Sequence, residues 1–359
     1  MIFKGNHNLH ICKFFLLLMA CLSLYSCDSV IYDDEGDCEV VYKIRFRYDM
    51  NLKWADAFAN EVKSINLCAF DQNGVLQWQK TESGEELARE GYAMTVQLLP
   101  GKYHLIAWCG LVNDGSRAES FTVPAMTVGV STQEELMASL NHTLTDEGHR
   151  LSESHLWSLF HGTTDLEVVS DELADGGEVV KTIRLTKDTN HIRVVLQHLS
   201  AEDLDVNDFD FKIEADNGML DHHNNVIPDC KILYSTWATK SGQAGVGKED
   251  SRSVIMVNGA IADLTVSRMM AEHKDEMMLS IYDKNKGTRI AHIPVIHYAL
   301  LSKDYYEEAY GHKMSDQEFL DREDDYVMTL FLDNDHKWLS SQILIHSWAV
   351  VLSNIDLNS

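Results

Sequence analysis

Most of this chain is built from short runs that are apolar or alternate in polarity, each closed by turn-forming residues. Val40 to Tyr48, Lys63 to Phe70, Met94 to Leu99 and Tyr103 to Trp108 are of this kind. Runs of that length fit strands, which place successive side chains on opposite faces, and are too short for the stripe of an amphipathic helix. The punctuation agrees. Asp71-Gln72-Asn73-Gly74 carries the Asn-Gly pair that accepts positive φ at both central positions of a hairpin turn. In Leu99-Pro100-Gly101-Lys102, proline presets φ and glycine can supply the left-handed position. The predicted fold class is all-β.

The same grammar recurs later. Ile65-Asn66-Leu67-Cys68-Ala69-Phe70-Asp71-Gln72-Asn73-Gly74 is echoed by Leu279-Ser280-Ile281-Tyr282-Asp283-Lys284-Asn285-Lys286-Gly287. In each, a strand ends in an aromatic residue, then Asp, then an Asn/Gly turn. The openings Ile44-Arg45-Phe46-Arg47-Tyr48 and Ile192-Arg193-Val194-Val195-Leu196 also correspond. This predicts two tandem β-sandwich domains, 39–187 and 188–359, joined near Lys187-Asp188, although two coincidental turns would give the same echo. Helical signals are local. Ser131-Thr132-Gln133-Glu134 and Ser315-Asp316-Gln317-Glu318 fit the capping box, predicting short helical excursions to about Leu140 and about Arg322.

The first residues are a processing signal. Lys4 and Lys13 precede the apolar run Phe14-Phe15-Leu16-Leu17-Leu18-Met19-Ala20, which is too short to span a bilayer. Leu24-Tyr25-Ser26-Cys27 comes next, with leucine at −3 and a small residue at −1 before a cysteine. A lipoprotein signal peptidase requires that arrangement, so 1–26 is expected to be removed and Cys27 to be lipidated. Leu18-Met19-Ala20-Cys21 is a second match, but it leaves too short an apolar core. An ordinary secretory signal with an incidental cysteine is the plainer alternative. Each buried methylene contributes about 0.8 kcal/mol, so two or three acyl chains would hold a folded body at a membrane that it does not cross. The segment 27–38, with Asp28, Asp33, Asp34, Glu35 and Asp37, reads as an acidic tether. It resembles the surface-export signal of Bacteroides-type lipoproteins, which implies a surface-exposed location on the outer membrane.

Charge and cysteine usage narrow the partners. A formal net charge of −26 disfavours nucleic acid and anionic lipid headgroups. Of the seven cysteines, Cys12 and Cys21 leave with the signal and Cys27 takes lipid. Cys38, Cys68, Cys109 and Cys230 allow three disulfide pairings. Cys68 and Cys109 sit inside apolar strands, where a buried free thiol is the commoner state.

No residue constellation here argues for catalysis. The sequence has no His-Glu-x-x-His, no Gly-x-Ser-x-Gly and no phosphate-cradling glycine loop. No metal or cofactor is expected. Among seventeen histidines, His222-His223 is the densest pair, and neighbours on a strand would point to opposite faces. Asp203-Leu204-Asp205-Val206-Asn207-Asp208 with Glu214 imitates a calcium loop, but Asp208 replaces the required glycine, so an acidic loop entering a strand is the better reading. Asp321, Glu323, Asp324 and Asp325 read as a solvated helix end.

The ending is different. Gln342 to Leu357 is one long β-prone run. Ile343, Ile345, Ser347, Ala349, Val351, Ser353, Ile355 and Leu357 share one face under a period of two, and Leu344, Trp348, Val350 and Leu352 add bulk to the other. The run either completes its own domain or is donated to a neighbouring subunit, where main-chain hydrogen bonds give affinity and alternate side chains fill pockets. Burying four large side chains would contribute on the order of 6–12 kcal/mol before ordering costs.

Taken in order, the segments Cys27 to Asp34, Leu99 to Trp108, Asn190 to Leu199, Tyr310 to Glu318 and Ile345 to Leu357 resemble the FimB-type minor fimbrial subunits, the fimbrial anchor lipoproteins of Bacteroides-type bacteria. The resemblance implies two transthyretin-like β-sandwich domains, no catalysis, and a fimbrial shaft subunit as partner. It further implies a first strand that is retained, with Val41, Ile44, Phe46 and Tyr48 filling the chain's own groove, so that polymerisation stops. Ile343, Ile345, Trp348, Val350, Val351, Leu352, Ile355 and Leu357 would be the donated strand. A surface glycan-binding lipoprotein of a polysaccharide uptake system is the alternative in the binding class, and a surface hydrolase the alternative among enzymes.

Overall fold

The computed structural model describes residues 40–112, 115, 118–170, 177–198, 204–228, 231–247, 254–333, 335–345 and 348–351. Two compact units divide the chain. One takes Met1–Val41 with Val169–Val179, and the other takes Tyr42–Val168 with Val180–Ser359. Of the first, the described residues are the openings of two strands and Val169-Ser170. The second holds nearly all of the fold.

The fold is all-β. Up to Lys187 the strands are β1 (Val40–Arg47), β2 (Ser64–Phe70), β3 (Leu76–Ser83), β4 (Met94–Val96), β5 (Gly101–Cys109), β6 (Phe121–Thr122), β7 (Ala138–Leu140), β8 (Thr143–Leu144), β9 (Arg150–Ser152), β10 (Phe160–Val168), β11 (Gly177–Arg184) and β12 (Thr186–Lys187). After it come β13 (Thr189–His198), β14 (Phe209–Ala215), β15 (Met219–Leu220), β16 (Ile232–Ser235), β17 (Ala238–Gly247), β18 (Val254–Ser267), β19 (Met278–Asp283), β20 (Thr288–Pro294), β21 (Asp325–Leu332), β22 (Trp338–Ile345) and β23 (Trp348–Val351). Among the described residues, four short helices accompany them: α1 (Phe58–Glu61), α2 (Val295–Leu300), α3 (Lys303–Tyr310) and α4 (Asp316–Arg322).

The earlier strands form a three-stranded sheet, β11-β1-β4, and a five-stranded sheet, β12-β10-β5-β2-β3. The later ones form two six-stranded sheets, β17-β18-β13-β21-β22-β23 and β20-β19-β14-β16-β9-β8. Position 187 does not separate the pairing. β8 and β9 complete a sheet made otherwise of later strands, and β15 joins β7 and β6 in a small three-stranded one. One apolar core also runs through both regions, from Cys68, Ile106 and Trp108 to Ile192, Leu264, Phe211 and Leu330. Alternation explains its composition. Ile192, Val194 and Leu196 of β13 are fully buried, as are Ala262, Leu264 and Val266 of the antiparallel β18.

Several local expectations are corrected. The first capping box does not open a helix to Leu140. Ser131 Oγ accepts from the Thr127 amide (3.1 Å) instead of capping, only Gln133–Glu135 form a 3₁₀ turn, and Ala138–Leu140 is strand β7. Leu136, Ala138 and Leu140 are buried, a period of two that outweighs the cap signal. The second capping box holds, with Ser315 Oγ accepting from the Glu318 amide (3.0 Å) at the start of α4. In the β2–β3 turn only Gly74 has positive φ (75°), and Asp71 Oδ1 accepts from the amides of Asn73 and Val75. Gly101 is not left-handed either; it begins β5. His222 and His223 lie in the turn after β15, not on a strand, with ring centroids 4.0 Å apart. Asp205 caps a 3₁₀ turn that leads directly into β14, as the acidic-loop reading expects.

Candidate assembly site: the first and last strands

β1 lies between β11 and β4, so both of its edges are hydrogen-bonded. Tyr42 pairs with Val96 and Ile44 with Met94. Its inward residues are Tyr42, Ile44 and Phe46, followed by Tyr48, and all four are buried. Val41 is corrected: it faces outward at 39% exposure, because counting in twos from Ile44 arrives at Tyr42. The parity was present in the sequence and would have found Tyr42. Rings fix the strand in place. Phe46 stacks on Phe58 of α1 (5.9 Å between centroids) and on Tyr92 (6.4 Å), while Tyr48 meets the edge of Phe160 (5.0 Å). Such pairs add about 0.5–1.5 kcal/mol each beyond the area they bury.

The segment after β1 is clamped to α4. The Leu52 amide donates to the Arg322 carbonyl (3.1 Å), and Arg322 Nη1 donates to the Asp49 carbonyl (3.3 Å). The Arg322 guanidinium lies 3.7 Å from the centre of the Trp54 ring. Trp54 has φ of 54°, a conformation that large side chains rarely adopt and that the surrounding contacts must impose. Nothing in the sequence singled out Trp54 or Arg322.

The long C-terminal run is not one strand. It contributes the second half of β22 and then β23, which pair antiparallel as a hairpin, with Ile343 opposite Val350 and Ile345 opposite Trp348. Ile343 and Ile345 also lie opposite Leu330 and Met328 of β21, while Val351 pairs with Gln342. Among the described residues β23 is an edge strand. Leu352, Ile355 and Leu357 lie outside the described residues, as do Cys27, Cys38 and Cys230. Cys68 and Cys109 are free and buried, and burial raises both thiol pKa values, Cys68 to about 12.

A charged seam joins the two ends of the chain. Lys187 Nζ donates to Glu61 (3.0 Å) and to Asp324. Asp188 is fully buried and accepts from Arg268 (2.7 Å) and Asn224 (2.8 Å), while Arg268 also reaches Asp321 (2.9 Å). His191 bridges Asp263 (3.0 Å) and Asp325 (2.8 Å). The acidic cluster is therefore not a solvated helix end. Asp321, Asp324 and Asp325 each have a cationic or imidazole partner, and Glu323 is buried. Burial, together with the neighbouring Asp324 and Asp325, pushes the Glu323 carboxyl up to about 7. Burial likewise raises Asp188 to about 6, against the opposing pull of Arg268. A cavity of about 710 Å3 lies beside Tyr48, Glu61, Tyr306 and Glu323. These groups tie segments together; no nucleophile is placed against a base among them. Among the described residues, no helix is long and apolar enough to cross a membrane.

Known proteins match this arrangement. Residues 34–354 match the family described as fimbrillin-A associated anchor proteins Mfa1 and Mfa2. The minor fimbrium anchoring subunit Mfa2 of Porphyromonas gingivalis is 21% identical over 284 residues, covering 79% of this chain and 78% of its own length. A solved structure of a candidate adhesin from Bacteroides thetaiotaomicron is 30% identical with a TM-score of 0.72, covering 87% of this chain and 97% of that one. The fimbrial anchor protein Mfa2 from Porphyromonas gingivalis shares the fold at 16% identity and a TM-score of 0.63, covering 87% and 99% of the two chains. The chain belongs to the Mfa2 family of fimbrillin-associated anchor proteins.

Proposed function

We propose that this chain anchors a fimbrial shaft to the cell surface and ends its growth, without catalysis. Lipid on Cys27 holds the body at the outer membrane, and the acidic segment 27–38 spaces it from the surface. Tandem sandwich sheets, whose pairing and core continue across Lys187-Asp188, carry the strands that meet the shaft subunit. The observation that carries the reading is the position of β1. It is an interior strand with its inward face buried, so the groove that a missing first strand would leave is filled by the chain itself. A shaft subunit arriving at that groove finds no vacancy. At the other end, the hairpin of β22 and β23 is the natural segment to offer, because an edge can be given up with less loss of hydrogen bonding. Ile343, Ile345, Trp348, Val350 and Val351, continuing to Leu352, Ile355 and Leu357, would fill the neighbour's pockets.

The test deletes Gln342 to Ser359 and scores membrane-attached fimbriae while circular dichroism confirms that the truncated protein folds. We expect the fimbriae to detach; attachment at the normal level would remove the donated strand from the account. Replacing Cys27 by Ser is expected to release the protein from the membrane fraction. Retention there would sink the lipid anchor.

A further inference from the structure

The cavity of about 710 Å3 at the end of β1 gathers carboxylates from three directions. Asp56 comes from the loop after β1, Glu61 from α1, and Glu323, Asp324 and Asp325 from the link between α4 and β21. The cations in its wall, Lys53 and Arg322, are fewer, and Arg322 is already held by Glu318 (2.9 Å). Even with Lys187 added, which reaches Glu61 and Asp324 from outside the lining, the acids outnumber the bases. Its volume is within the roughly 300–1,000 Å3 range of small-ligand sites. A surplus of acid alone could simply face water. One buried group gives it a direction. Tyr48 is only 2% exposed, and its hydroxyl has no hydrogen-bond partner among the described residues. That oxygen is not one of the polar atoms sealed from solvent, and the surface it keeps opens on the cavity that Tyr48 lines. A hydroxyl so deeply set and still unmatched calls for a polar occupant.

The surroundings say what kind. Burial, with the negative charges of Asp324, Glu61 and Glu323 close by, raises the Tyr48 pKa well above that of an ordinary phenol. The group therefore stays a neutral hydroxyl with lone pairs to offer, and the same charges favour a cation beside it. An anion would be repelled. Among the described residues, no three carboxylate, imidazole or thiol groups converge to hold a metal ion, which leaves an organic cation. A guanidinium seeks both oxygens of one carboxylate. Here Asp56 Oδ1 already accepts from the amides of Tyr48 (3.0 Å) and Phe58 (3.1 Å), and Glu61 and Asp324 are shared with Lys187. A compact ammonium needs only single acceptors, because its three donors rotate. For the carbon chain behind it, Tyr306 and Tyr310 of α3 stack with planes within 5° and centroids 6.2 Å apart, forming an aromatic wall.

We propose that this cavity binds the primary ammonium end of an alkylamine, which donates to the Tyr48 hydroxyl while its carbon chain lies along Tyr306 and Tyr310. The inference goes beyond anchoring and is independent of it, since it is read by amine binding and not by retention of fimbriae.

The test titrates the full-length chain in detergent with diaminopentane and with acetyl-lysine amide at millimolar concentration, following calorimetry and saturation-transfer NMR of the alkyl protons. Neutral pentanediol, acetyl-arginine amide and calcium chloride are the controls. At least one of the two amines is expected to bind, and each control to bind more weakly or not at all. Binding of the diamine alone supports a free diamine as the source, and binding of the lysine amide supports a lysine side chain of a partner protein. Tyr48→Phe keeps the ring against Phe160 and removes only the hydroxyl. It should fold at least as stably as the parent, because it removes an unmatched group, and bind about ten-fold more weakly, the loss of one hydrogen bond to a charged group. Asp56→Asn keeps the oxygen that accepts the two amides and should weaken binding about three-fold by removing one charge. Binding of neither amine, a control that binds as tightly as the amines, or unchanged affinity in Tyr48→Phe would each overturn the proposal.

Discussion

β1 and β23 lie at opposite ends of the described chain, and β1 has hydrogen-bonded neighbours on two sides where β23 has one. The contrast extends to how each strand is secured. Beyond β1, the chain is clamped by Arg322, Trp54 and the Lys187 pair with Glu61, so that removing the strand would expose Ile44, Phe46 and Tyr48 and unpair two seams. β23 can leave by breaking a single ladder. Among the described residues, the first strand is interior and the last is peripheral, and the proposed roles of the two ends rest on that contrast.

Three measurements would break or sharpen this contrast. The largest effect is expected for Phe46→Ala, which empties a fully packed position and removes two ring stacks. We expect a loss of about 3–5 kcal/mol in denaturant unfolding. A loss below about 1 kcal/mol would mean that β1 is not held as described. Next comes pH. The folded state keeps the Glu323 proton up to about 7, where an ordinary glutamate loses it near 4.5. Because folding raises this carboxyl pKa, ionisation costs stability: the penalty is absent at low pH, grows as pH rises from about 4.5 to about 7, and is complete above that. Stability should thus fall by at most about 3 kcal/mol across that window, with Asp188 acting in the same direction up to about 6. Glu323→Gln should flatten the curve, and an unchanged slope would separate this acid from the clamp beside Tyr48. The smallest effect is expected from ending the chain after Ile345. Four cross-strand pairs are lost, at about 0.2–1 kcal/mol each, for a total near 2 kcal/mol. A loss matching that of Phe46→Ala would erase the distinction between the two ends.

How much of this was legible depended on whether the signal was local. β1, β2, β5 and the β19–β20 turn come from alternation and turn residues, and α4 from a cap that forms. Family membership was legible in the order of several modest segments, of which none would suffice alone. The failures were long-range. The acidic cluster reads as solvated along the chain, yet Lys187, Arg268 and His191 arrive from far away to pair with it. Trp54 is an isolated aromatic in a loop until Arg322 lies beneath it. The single long terminal strand failed for a related reason. Both parities of the run are apolar, so its pattern does not mark the fold-back, which only the pairing of Ile345 with Trp348 reveals.

The parallel pairing of β13 with β21 sets an order of events for the newborn chain. His191 lies beside Asp325 and His198 beside Leu332, so the partners are 134 residues apart at the first of these pairs. Contacts so distant in sequence form slowly, since a long loop must close before any of them is made. β18 can pair with one side of β13 early, but the other side stays open until the final tenth of the polypeptide begins to arrive. An escort that shields this exposed seam during transit would prevent two half-made copies from sealing it against each other.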